Sequence, residues 1–162
     1  MTELSETERQ HLIDTVRRGF EAPPNLLFNR EIGAPKAVHG LDGNVLYWIV
    51  PGFLNGKLDA MARVFNNGAI VTISHLPEPA EDVSAAACGM SVIQVRTVHS
   101  AFLLKYPDAS IDNPILVCDG PVGREIWLIV IRERNQTPRR IFVNAGGQYE
   151  KANGCKLDFQ CP

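Results

Sequence analysis

REIWLIVIRERNQTPRRIFVNAGGQYEK, residues 124–151, is the stretch on which the fold turns. Ile126, Trp127, Leu128, Ile129, Val130 and Ile131 are apolar at every position, so an extended chain here is apolar on both faces, as interior strands are. Asn135 to Pro138 supply a polar turn, after which Ile141, Phe142 and Val143 resume the pattern. Two long strands joined by a tight turn are therefore expected at the centre of a sheet.

Three more runs precede it: NVLYWIVPG (44–52), LDAMARVF (58–65) and AIVTISHL (69–76). Asn55-Gly56 and Asn66-Asn67-Gly68 separate them, and these residues accept the positive φ of hairpin turns. A three-stranded antiparallel meander follows, with Pro51-Gly52 closing its first strand and His75 to Pro79 a turn after its last. Ahead of it, Ser5 stands three residues before Glu8, a capping-box spacing, and Leu12, Ile13, Val16 and Phe20 recur at helical intervals until Pro23. Glu21 to Gly43, broken by Pro23, Pro24, Gly33, Pro35 and Gly40, reads as a long loop. A second helix is expected from Ala80 to Lys105, irregular at Gly89, with Met90, Ile93, Thr97, Ala101 and Leu104 sharing its inward face. Asp108 to Pro114 is then a loop and PILVCDG (114–120) a short strand. The expected fold is α+β: an antiparallel sheet of about six strands packed by two main helices, in the order α-βββ-α-βββ. One domain spans 1–162, its halves 1–76 and 77–162 forming a pseudo-repeat of pattern in which no residues align convincingly.

Composition narrows function by exclusion. A chain of 162 residues, 45% of them hydrophobic, can bury one core. A net charge of −2 gives no general attraction to nucleic acid, and no apolar run approaches the length of roughly 20 residues that spans a bilayer. No zinc spacing occurs among the cysteines, so neither metal nor cofactor is expected. Four cysteines, Cys88, Cys118, Cys155 and Cys161, are an even number, and the last two bracket GCKLDFQC near the end. Disulfides in an oxidising compartment are the expectation, hence a periplasmic or secreted protein whose signal has been removed; the lack of a signal sequence leaves the cytoplasm as the alternative.

SAFLLKYPDASI, followed by the stretch quoted first, resembles the helix, hairpin and closing turn of PepSY-type modules, with Asn144 where an aspartate is usual. β-Lactamase-inhibitor-like proteins use a similar helix-on-sheet repeat. The resemblance covers about a third of the chain. It implies noncatalytic binding to a secreted enzyme.

The residue types that could support catalysis are His11, His39, His75, His99, Cys88, Cys118 and Asp119, but no G-x-S-x-G, H-E-x-x-H or phosphate-binding glycine loop joins them. His11 and His99 suit solvated or capped helix positions, Cys118 a buried strand position and Asp119 a turn. Arg132, Arg134, Arg139 and Arg140 suit a solvated hairpin tip, and Tyr47, Trp48 and Trp127 the core. The proline-rich loops offer rigid surface for a partner. Asn29, Arg30, His39, His75, Asp108, Ser110 and Asp112 are the expected partner-binding residues. The leading expectation is an inhibitor or immunity-type protein that blocks an enzyme such as a secreted peptidase or cell-wall hydrolase. The alternatives are a cytoplasmic chaperone of a secreted effector, and a small enzyme or ligand-binding domain with a pocket between helix and sheet.

Overall fold

The strands of the opening stretch lie in a much larger sheet than the sequence suggests. The computed structural model describes residues 4–21 and 30–151. Among them the chain forms α1 (Glu6–Glu21), β1 (Glu31–Ile32), β2 (Lys36–His39), β3 (Val45–Leu54), β4 (Lys57–Phe65), β5 (Ile70–Ala80), α2 (Val83–Cys88), α3 (Val92–Lys105), β6 (Ser110–Ile111), β7 (Ile115–Cys118), β8 (Glu125–Arg132), β9 (Arg139–Asn144) and β10 (Gly147–Lys151). All ten strands join one sheet, ordered β10-β9-β8-β7-β2-β3-β4-β5, with β1 beside β3 and β6 beside β8. The pairings are antiparallel except at the centre, where β2 and β7 run parallel.

The expectation of six antiparallel strands and two main helices is thus corrected to a ten-stranded mixed sheet with three helices among the described residues. β1 and β2 fall in the segment read as loop, because two and four residues between prolines and glycines show no periodicity. β3 continues through Pro51 to Leu54. β5 continues through Pro77 and Pro79, which is tolerated because it is an edge strand with no outer neighbour among the described strands. The turn expected to close the fold is a hairpin instead: Asn144 pairs with Gly147, its Oδ1 accepts from Gly146 N, and β10 follows. The second helix is two helices. Gly89, at φ +71°, ends α2, and Ser91 starts α3 with a capping box shared with Gln94.

The pairing register reveals a repeat. Glu31 pairs with Phe53 and Ser110 with Arg132; Ala37 pairs with Trp48 and Leu116 with Trp127; Trp48 pairs with Val64 and Trp127 with Val143. Each second pair lies 79 residues after the first, and Gly33 N to Pro51 O likewise becomes Asp112 N to Val130 O. Residues 31–65 and 110–144 therefore share this pairing at a constant offset of 79, apart from bulges at Val38/His39 and Gly52/Phe53 in the first half, and five of the 35 positions are identical: Ile32/Ile111, Pro35/Pro114, Val38/Val117, Trp48/Trp127 and Val64/Val143. The strand order is symmetric about the parallel β2/β7 seam, the arrangement that an approximate two-fold axis along the seam produces. Such an axis preserves strand direction and exchanges the faces of the sheet. Accordingly α1, which precedes the first half, and α3, which precedes the second, pack on opposite faces, and each opens with a serine capping box.

On one face Leu12 and Val16 of α1 cover Trp48, Val50, Ala60, Ala62 and Val64. Gly19 allows the helix to sit this low, since a Cβ there would lie 2.6 Å from Ile70 Cδ1. On the other face Val95 and Phe102 of α3 pack with Tyr47, Ile49, Trp127, Ile129, Ile131, Ile141 and Val143. This second face is concave. Arg63 of β4 touches Glu125 of β8 at 2.6 Å, although four strand spacings, roughly 19 Å in a flat sheet, separate those strands in the order.

Candidate functional site

Of the residues expected to bind a partner, Arg30 and His75 come together at one carboxylate. Asn29 lies outside the described residues. Arg30 forms a two-pronged ion pair with Asp59 (2.8 and 2.6 Å), and the ring of His75 lies 4.0 Å from the same carboxylate. These two do converge, on a residue the sequence did not single out. His39 Nδ1 is 3.2 Å from the Gly43 carbonyl, and Asp112 pairs with Arg132 at 2.8 Å. Asp108 and Ser110 are exposed. Of the arginines of the last hairpin, Arg139 donates to Glu150 and Tyr106, and its hydrogen bond holds the Glu150 carboxyl below the usual range.

The chemically richest cluster lies under α2, where the halves meet on the concave face. Glu125, fully buried, accepts from Arg63 Nε (2.6 Å), Arg63 Nη2 (3.0 Å) and Tyr47 OH (2.8 Å). Burial opposes the Arg63 charge, but the Glu125 carboxylate more than offsets this and raises the pKa. Tyr47 is pushed well above the ordinary phenol range by burial and by Glu125. Lys36 donates to Ser84 Oγ and sits 5.2 Å over the Trp127 ring; burial lowers its pKa, against the pull of Asp82. Beside them Cys88, Asp119, Arg124, Asn144 and Tyr149 line a cleft of about 290 Å³. Tyr149 donates to Asp119, and burial with that bond pushes its hydroxyl up to about 12.

Neither described cysteine forms a disulfide, which corrects that expectation for Cys88 and Cys118; Cys155 and Cys161 lie outside the described residues. Each thiol is instead bonded locally, Cys88 Sγ donating to the Ser84 carbonyl and Cys118 Sγ to that of Gly120. Burial raises the Cys88 thiol, which makes it a poor nucleophile. In this cluster Glu125 is taken up by Arg63 and Tyr47, and Asp119 by Tyr149. The arrangement pins α2 across the seam.

α3 differs. The sequence turned Met90, Ile93, Thr97, Ala101 and Leu104 inward. Met90 does pack, but Ile93 is 76% exposed and Leu104 84%, with Thr97 and Ala101 exposed between them. Apolar and polar residues alternate around the whole helix, so periodicity did not select the buried side, and the larger Phe102 with Val95 took it. Arg96 and Lys105 flank the outer stripe and have no carboxylate partner among the described residues, and α3 holds no acidic residue. Along the Arg96 side runs a second cleft, of about 510 Å³, between the helix and Asn113, Pro114 and Trp127. His99, expected to be solvated or capped, turns its Nε2 into the interior with no hydrogen-bond partner among the described residues. Only its place on a mostly apolar helix hinted at this.

Among the described residues no three His, Cys, Asp or Glu side chains gather as metal ligands, and no helix is long and apolar enough to cross a membrane. In comparisons with known proteins the chain matches no family model, no curated protein and no solved structure.

Proposed function

We propose that this chain is a noncatalytic protein-binding module, of the inhibitor type, that engages its partner through the outer face of α3. The observation that carries this is the exposed stripe of Ile93, Thr97, Ala101 and Leu104. Large side chains at its ends and small ones between let a partner element approach closely at the middle, as in helix-and-groove recognition. Exposed apolar surface of this kind marks an interaction site. Arg96 and Lys105 on its two flanks, neither with a carboxylate partner among the described residues, call for a partner rimmed with carboxylates. A second copy of α3 brings only more cations, so a different protein fits better.

Capture from an extract of the source organism, with wild type, Ile93→Glu and Leu104→Glu compared, tests this. The partner should be retained by wild type and lost by both variants, while their melting temperatures stay within about 2 °C of wild type because both sites are exposed. Equal retention by the variants, or a homodimer dissolved by Leu104→Glu, would overturn the proposal. Addition of the protein to the captured enzyme then tests inhibition.

A further inference from the structure

We infer that the cleft between α3 and the β7–β8 face is a binding site for a carboxylate attached to an apolar body. Arg96, His99 and Ser100 stand at i, i+3 and i+4, so they share one side of the helix. Asn113 closes the cleft opposite them. Apart from the orphaned His99 Nε2, the side chains of Arg96, Ser100 and Asn113 also lack hydrogen-bond partners among the described residues. The buried His99 Nε2 is the unusual one, because native interiors pair such groups almost without exception; Arg96, Ser100 and Asn113 are exposed at the cleft mouth. All four can donate, and no acidic side chain lines the cleft.

A set of donors with one fixed positive charge selects an anion. The planar guanidinium matches the two oxygens of a carboxylate, leaving the imidazole N–H, the hydroxyl and the amide to complete its shell. Val92, Val95, Pro114 and Trp127 form the rest of the wall and favour an apolar group next to the carboxylate. The volume falls in the range of small-molecule sites. The carboxylate can belong to the end of a peptide chain or to a free organic acid. The site shares Arg96 with the flank of the outer stripe but uses none of the stripe's apolar residues, so it stands whether or not the stripe binds a protein.

An NMR titration of the full chain tests this, with the Trp127 indole and His99 ring signals as readout. The probes are N-acetylleucine, its amide, a peptide ending in leucine with a free C-terminus, and sulfate. N-acetylleucine should shift both signals, its amide should not, and Arg96→Gln should weaken binding about tenfold, as loss of a two-pronged charged contact does. Arg96 is exposed, so that variant keeps the fold; His99→Phe, which fills the cleft, should abolish binding. Tighter binding of the peptide assigns the carboxylate to a chain end, and equal binding to a free acid. Leu104→Glu should leave every shift intact, which separates this site from the protein-binding stripe. Equal binding of the amide, sulfate binding in place of the carboxylate, or an unchanged Arg96→Gln overturns the inference.

Discussion

Replacing Arg63 by methionine should destabilise the protein far more than replacing Arg63, Glu125 and Tyr47 together. Glu125 is fully buried and receives three hydrogen bonds, two of them from the guanidinium at 2.6 and 3.0 Å. Charge-assisted bonds contribute about 1.5–3 kcal/mol each. Two unit charges about 4 Å apart interact by about 4 kcal/mol in surroundings of intermediate polarity. Desolvation of both charges offsets most of that attraction while the pair is intact, so the pair itself adds little stability. Removal of one member abolishes the attraction and leaves the other charge buried, at a cost of about 3–5 kcal/mol. Arg63→Met and Glu125→Leu should each show that loss, a fall in melting temperature of roughly 8–15 °C for a chain of this size. The triple variant Tyr47→Phe/Arg63→Met/Glu125→Leu removes both charges and the hydroxyl together, and should lose no more than about 2 kcal/mol. Urea unfolding followed by tryptophan fluorescence measures all four proteins. If the single losses simply add in the triple variant, the pair does not bridge β4 to β8, and the curl of the sheet inferred from it is wrong.

Two further outcomes follow from the same cluster. Tyr149 and Tyr47 have folded pKa values raised above their unfolded value near 10, so the folded state holds protons that the unfolded state gives up. Their contribution is present below pH 10 and is lost as pH rises toward 12, and Tyr149→Phe should flatten that decline; identical alkaline stability curves would refute it. Cys118 is buried and the Cys88 thiol is raised by burial, so in a Cys155→Ser/Cys161→Ser background both should react slowly with a thiol reagent at neutral pH and quickly in urea. Rapid labelling of Cys88 in the folded protein would show that α2 opens readily.

Much of the fold was legible in local chemistry. Apolar runs placed β3, β4, β8 and β9, Asn-Gly at 55–56 set a hairpin with Asn55 at φ +53° and Gly56 at φ +75°, and the Ser5/Glu8 box started α1. The pseudo-repeat was visible as pattern only. Its five identities in 35 positions are too few to align unaided, because an interior strand position demands an apolar side chain of fitting volume and not a particular residue. Hydrogen-bond register, by contrast, is fixed by geometry, and it exposes the constant spacing of 79 residues. For the site, the sequence offered loop residues, of which Arg30 and His75 converge on Asp59.

By itself the sequence determined which segments are strands and helices wherever burial on one or both faces imposes a period. It could not determine which strands are neighbours. β2 and β7 are four residues each, yet their parallel pairing joins the halves, and that choice depends on the whole sheet closing over a shared core. Nor could it determine which face of α3 is outward. With apolar residues around the entire helix, only the competition to fill the concave side decided that Val95 and Phe102 go in. Ile93 and Leu104 were left outside, beside a histidine whose buried nitrogen still lacks a partner among the described residues.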